Sequence, residues 1–347
     1  MTKIFCTQAN ETPYTLQNEE RDETFDVLKG IAMILVIIGH CYFGLFRTFI
    51  YSFHMPLFFF VTGFFLKIRP LRTEFLLSTK RLIIPYIFTA FWLCMVITCF
   101  DPTRLKSITV ACLLGFRARY IPNWIEANVG LLWFILALFW ARLIAIALIQ
   151  RIKSEIWLGI IFFALALIGI FLNSRVFVPF CIPQGMCAAG FLFAGHLMKK
   201  YKFLESNYLA QTFPFLLIIW AYTWSAGGVD MYLCVFTSGY IFDLIGAIGA
   251  FATLYILVKH CYNKKSFLWR SVHFWGRYSL IFYCVHTVEH SGAVWNTLTS
   301  GITFPPEILI PLRISARMAI AFIFTILLLK IRPIRKYIFQ ISAEAPL

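Results

Sequence analysis

Lys29 and His40 lie eleven residues apart in an otherwise apolar run that begins at Asp26 and passes through Gly39. On a helix the two side chains differ by only about 20° around the axis and are about 16 Å apart along it. A cation and an imidazole would therefore share one face. Ionisable groups in apolar surroundings are costly unless partnered, so such a pair is a candidate for function. An imidazole with an ordinary pKa near 6.5 suits proton transfer at neutral pH. Gly39, just before His40, leaves room for a backbone or a ligand. Taken singly, each residue has a plainer reading. His40 would then hydrogen-bond between helices, and Lys29 would extend from a span end toward water.

His54 opens a second run, Phe53-His54-Met55-Pro56-Leu57-Phe58-Phe59-Phe60-Val61-Thr62-Gly63. Pro56 should break the helical ladder and free carbonyls, which membrane proteins tolerate where backbone lines a cavity. His40 and His54 flank one short hairpin, so both can face one pocket; a purely structural His54 is the other reading. Lys80 and Arg81 stand before Pro85, at the mouth of a third run, as topology charges or as functional cations. Trp133 in Leu132-Trp133-Phe134 reads, by itself, as an interfacial anchor. Arg277 and His286 enter one further run nine residues apart, with Glu289 and His290 following. His286, Glu289 and His290 superficially resemble metal ligands. The flanking pattern of a metalloprotease is absent, and no metal is expected.

The elements that must position these residues are transmembrane helices. Of 347 residues, 60% are hydrophobic and 14% charged, against roughly 25% charged in soluble domains. Apolar runs close to the roughly 20 residues that cross a bilayer recur along the chain. Candidate spans lie at about 27–46, 50–67, 83–100, 131–150, 155–173, 183–198, 209–225, 240–259, 275–293 and 313–331. The expected fold class is an all-α integral membrane bundle of about ten helices. The stretches 107–116 and 231–239 are apolar but too short to span, and read as re-entrant or interfacial. Residues 1–25 read as a polar N-terminal tail, 26–335 as one transmembrane domain and 336–347 as a C-terminal tail. The acidic N-terminus does not resemble a signal peptide. Most of the ten cysteines lie inside apolar runs and read as small buried residues.

The net charge is +15, but the cations sit mainly in short loops and point to topology, not to nucleic acid. Lys67, Arg69, Arg72, Lys80 and Arg81, then Arg151 and Lys153, then Lys199, Lys200 and Lys202 mark alternate loops. Lys259, Lys264, Lys265 and Arg270 and the C-terminal Lys330, Arg332, Arg335 and Lys336 continue the series. That side should be cytoplasmic, and an even span count places both termini there. The loop 101–130, with Arg104, Lys106, Arg117 and Arg119, is the exception.

Five patches in this order and spacing resemble the membrane-bound acyltransferase-3 family, closest to its fucose 4-O-acetylase-like branch. They are the Lys29…His40 pair, the run Phe53 to Phe65, the Lys80-Arg81…Pro85 patch, Leu132-Trp133-Phe134, and Gly276 to His286. The resemblance covers about residues 22–331. Many members carry Arg-x-x-Arg at the third span; here Ser78 stands three residues before Arg81, and Lys80 is the nearby second cation. The resemblance implies a ten-helix bundle in the cell (plasma or inner) membrane. It also implies transfer of an acyl group, usually acetyl, from cytoplasmic acyl-CoA to a hydroxyl of a cell-surface glycan or lipid-linked sugar. On that reading His40 is the expected base, with His54 near the acceptor and Arg277 and His286 orienting His40 or stabilising charge. Lys29, Lys80, Arg81 and Arg277 are the expected contacts of acetyl-CoA. A covalent acyl-histidine route stays open beside direct transfer. A transporter or flippase for a lipid-linked sugar is the competing class, since buried cations and histidines also mark solute paths.

Overall fold

The first helix starts where its cap is. Asp22 accepts a hydrogen bond from the Thr24 amide at 2.9 Å, and Glu23 and Asp26 place negative charge in the first turn. Helix α1 (Glu23–Gly39) therefore begins a few residues before the apolar run does, inside the stretch expected to be a tail. The computed structural model describes residues 22–41, 44–116, 119–123, 127–291, 295 and 305–341. Residues 1–21 of the expected N-terminal tail and 342–347 of the C-terminal one, with Arg117, lie outside them.

The second run is two helices, α2 (Leu45–Tyr51) and α3 (His54–Phe64), broken at Ser52–Phe53. Pro56 is not the breaking residue. It sits in the first turn of α3, where no backbone donor is required. The third run is one 30-residue rod made of α4 (Leu71–Ser78), a π-helical turn (Thr79–Ile83) and α5 (Ile84–Phe100). Pro85 has no N–H to offer the Arg81 carbonyl, and the ladder widens just before it, with Ile84 N–H reaching Thr79 O.

The remaining helices are α6 (Leu105–Leu114), α7 (Trp133–Arg151), α8 (Glu155–Arg175), α9 (Ile182–Lys200) and α10 (Asn207–Ser225). They are followed by α11 (Tyr240–Cys261), α12 (Phe267–Arg277), α13 (Ser279–Glu289) and α14 (Pro306–Lys330). At ten residues α6 is too short to cross a bilayer. The stretch 231–239 is not a re-entrant helix. Part of it pairs with the preceding residues as an antiparallel hairpin, β1 (Val229–Asp230) on β2 (Val235–Phe236). Lys336 lies in a last π-helical turn, Ile334–Ile338, so the expected C-terminal tail begins as helix.

All ten apolar runs are helical. Among the described residues six helical stretches are long and apolar enough to cross a membrane on their own. The others are the shorter α1, α9 and α10 and the broken pair α12–α13. The protein is thus an all-α, multi-pass membrane protein. Its helices α1 and α12, α3 and α9, α7 and α9, α8 and α9, and α10 and α11 pack as pairs. Phe59, Phe60, Phe191, Phe251 and Phe282 fill the centre with no exposure above 1%. α8 and α14 bury only 22% of their apolar windows. Outward side chains such as Ile156 and Phe171 give the surface that lipid requires. Glycine sets the tightest crossing. A Cβ on Gly30 would collide with the Val272 carbonyl, and one on Gly276 with the Asp26 carbonyl, so α1 and α12 touch backbone to backbone.

Candidate functional site

Helix ends from separate parts of the chain meet around a cavity of about 220 Å³. His40 caps the C-terminus of α1, and His54 is the first residue of α3. His290 follows α13 directly, and all three histidines line the cavity. Arg47 and Tyr51 of α2, Trp133 at the start of α7 and Asp230 and Tyr232 of the hairpin region complete its polar and aromatic wall. Trp133 is 5% exposed and stands 6.2 Å, ring to ring, from Tyr232, so it is a cavity wall and not an interfacial anchor. The Tyr283 hydroxyl, also at the cavity, donates to the Leu131 carbonyl.

Hydrogen-bond partners fix where the protons sit. His40 Nδ1 is 2.6 Å from the Val36 carbonyl oxygen. A carbonyl only accepts, so Nδ1 carries the proton and Nε2 is left with its lone pair. His54 repeats the arrangement, with Nδ1 2.8 Å from the Ile50 carbonyl. His286 lies behind His40, fully buried, and its Nδ1 hydrogen-bonds Glu289 Oε1. With the proton on Nδ1, His286 Nε2 faces His40 Nδ1 at 3.4 Å. Glu289, His286 and His40 thus form a chain in which each group orients the next, the logic by which a carboxylate and an imidazole support a base.

Glu289 is held from two further sides. The Trp295 indole donates to its Oε2 at 2.7 Å, and Arg317 Nε of α14 lies 3.8 Å from the same oxygen. Arg317 is 4% exposed, packs 5.0 Å over the Trp295 ring and donates from Nη1 to His290 Nδ1 at 2.7 Å. A guanidinium has no acceptor, so His290 Nδ1 carries the lone pair and its Nε2–H is a donor. The His40 and His290 rings are 4.6 Å apart. The cavity wall therefore holds a lone-pair nitrogen beside an N–H donor backed by a buried cation.

The sequence-expected residues divide into two groups. His40, His54 and His286 come together here. Lys29, Lys80, Arg81 and Arg277 do not line this cavity. Lys29 is paired with buried Asp26 at 2.7 Å. Lys80 and Arg81 are exposed on the π-helical turn. Arg277 ends α12 and lines a second cavity, apart from His40. Ser78, in the place of a cation, donates to buried Glu74 at 2.7 Å, and Glu74 also takes Arg142 at 2.7 Å. Among the described residues no group of three His, Cys, Asp or Glu is arranged as a metal-ligand cluster.

Arg317 joins the site from outside the expected set, although an arginine inside the last apolar run is a signal in itself. Asp230 and Tyr232 carried no such signal, because only the hairpin brings them to the site.

A family model described as an acyltransferase domain matches residues 22–330. No curated protein and no solved structure matches the chain. The chain, carrying its histidine cluster on an all-helical membrane bundle, belongs to the acyltransferase 3 family.

Proposed function

We propose that this membrane acyltransferase moves an acetyl group from cytoplasmic acyl-CoA to a hydroxyl of a cell-surface carbohydrate or a lipid-linked sugar. The observation that carries the reading is the Glu289–His286–His40 chain ending on a cavity. His40 Nε2 takes the hydroxyl proton as the acceptor oxygen bonds to the thioester carbonyl carbon. The carbon–sulfur bond then breaks, and the proton passes from His40 to the leaving thiolate, releasing coenzyme A. The imidazolium formed on the way keeps its Nδ1–H on Val36 O, with His286 and Glu289 behind it. His290 Nε2–H, supported by Arg317, is the donor for the negative charge that builds on the carbonyl oxygen.

Asp230, Trp133 and Tyr232 suit a sugar, with flat rings for its apolar face and a carboxylate for its hydroxyls. His54 and Tyr51, 4.8 Å apart ring to ring, border the acceptor side. Lys29, Lys80 and Arg81 belong to the end of the bundle where the donor phosphates would enter, as charge-assisted partners.

Membranes containing the protein, given acetyl-labelled coenzyme A and a cell-surface glycan fraction, should pass label to the glycan. Label retained on coenzyme A with every glycan fraction offered would contradict the carbohydrate acceptor. The alternation of basic loops supports an inner- or plasma-membrane orientation with both termini cytoplasmic. A tag on either terminus should react only with reagents on the cytoplasmic side, and labelling from outside would reverse the orientation.

A further inference from the structure

A second cavity, about 480 Å³, opens at the Glu23 end of α1, the end opposite His40. Its floor is one face of α12. Arg270, Phe274 and Arg277 recur there at helical spacing, while Val272 and Gly276 pack against α1. Phe267 and Leu268 at the start of α12 are 84% and 68% exposed, as expected for a helix lying along the membrane–water boundary.

The lining is strongly basic. Lys264, Arg270, His273 and Arg277 contribute, and Glu23 is the one carboxylate on the wall. Glu23 is already engaged by Lys264 at 3.0 Å and by the Tyr262 hydroxyl at 2.9 Å. Burial raises the Tyr262 phenol, and Glu23 raises it further, to about 12, so this bond keeps its proton through the physiological range. Among the described residues no carboxylate pairs with Arg270 or Arg277. Two turns of helix separate these guanidiniums, about 10 Å along the axis. Between them Phe274 packs with Tyr278 at 4.9 Å and Phe322 at 5.7 Å, ring to ring.

Two guanidiniums about an aromatic seat match a ligand that joins a flat base to two separate phosphate groups. Planar donors grip phosphate oxygens in pairs, and aromatic faces stack bases. Lys29 is connected to this wall through Asp26, which lies 2.7 Å from Lys29 and 3.7 Å from His273.

We propose that this cavity binds the phosphate-bearing nucleotide end of the acyl donor, with Arg270 and Arg277 on the phosphates and Phe274 under the adenine. The proposal rests on acyl-CoA being the donor and adds the place where its head is held. Anionic lipid headgroups share the phosphate chemistry but lack the base, so the aromatic seat favours the nucleotide.

The test is equilibrium binding of labelled coenzyme A to the purified full chain in zwitterionic nanodiscs. Wild type, Phe274→Ala and the double variant Arg270→Ala/Arg277→Ala are compared at equal folded amounts, judged by thermal unfolding. The double variant should weaken binding at least tenfold, and Phe274→Ala should weaken it several-fold. Wild type should prefer coenzyme A over its form lacking the 3′-phosphate, and that preference should shrink in the double variant. Unchanged affinity in a folded double variant would overturn the proposal while leaving the donor assignment intact. Unchanged affinity together with loss of co-purifying anionic phospholipid would also overturn it and give the cavity to lipid. No binding of coenzyme A to wild type would sink the donor assignment, and this proposal with it.

Discussion

His40 is supported from one side only. Its Nδ1 is committed to Val36 O and faces His286, so Nε2 is the nitrogen left for the proposed proton transfer. The structure makes Glu289 the anchor of that arrangement, because it fixes the tautomer of His286. Glu289→Gln keeps the shape and removes the charge. Transfer should fall about 10²- to 10⁴-fold in kcat, the usual range for impaired acid–base catalysis, with KM for the donor nearly unchanged. Activity within about twofold of wild type would remove Glu289 and His286 from the chain. At this scale the sequence was informative about residue type and poor about partnership. His40, His54 and His286 stand out because imidazoles are rare in apolar runs. Lys29 stood out for the same reason, yet its near partner is Asp26, one turn earlier. Helical periodicity could place Lys29 and His40 on one face, but it could not say which groups that face would meet.

Helix breaks do much of the positioning. His40, His54 and His290 each sit where a helix begins or ends, and the breaks let side chains from α1, α3 and α13 converge. Apolar length reveals spans well and breaks poorly. Thus 50–67 read as one run, whereas the structure divides it at Ser52–Phe53, and 231–239 read as a short apolar stretch although part of it forms a hairpin. The crossing of α1 and α12 is equally specific, since Gly30 and Gly276 admit no side chain. Gly30→Leu should force the helices apart and cost about 1–3 kcal/mol or more through overpacking, seen as a lower Tm in detergent. Gly159 on α8 has open space around it, so Gly159→Ala should leave Tm unchanged or raise it. Equal effects from the two substitutions would mean the α1–α12 contact is not tight.

The whole molecule places two cavities at opposite ends of α1, one lined by histidines and one by cations. That layout suits a donor approaching from one side of the membrane and an acceptor from the other. Family membership gives group transfer, and the transporter reading yields to it. The multi-pass helical fold was legible because hydrophobic composition and run length leave few alternatives. The site was legible only in part: Arg317 is conspicuous in its apolar run, but its partners, like Trp295 and the hairpin, reach the site through tertiary structure alone. The most direct measurement compares label transfer from acetyl-labelled coenzyme A by wild type and His40→Ala, in membranes holding equal amounts of folded protein. His40→Ala should still bind coenzyme A but transfer no acetyl group above background. A folded His40→Ala protein that transfers at the wild-type rate would take His40 out of the reaction.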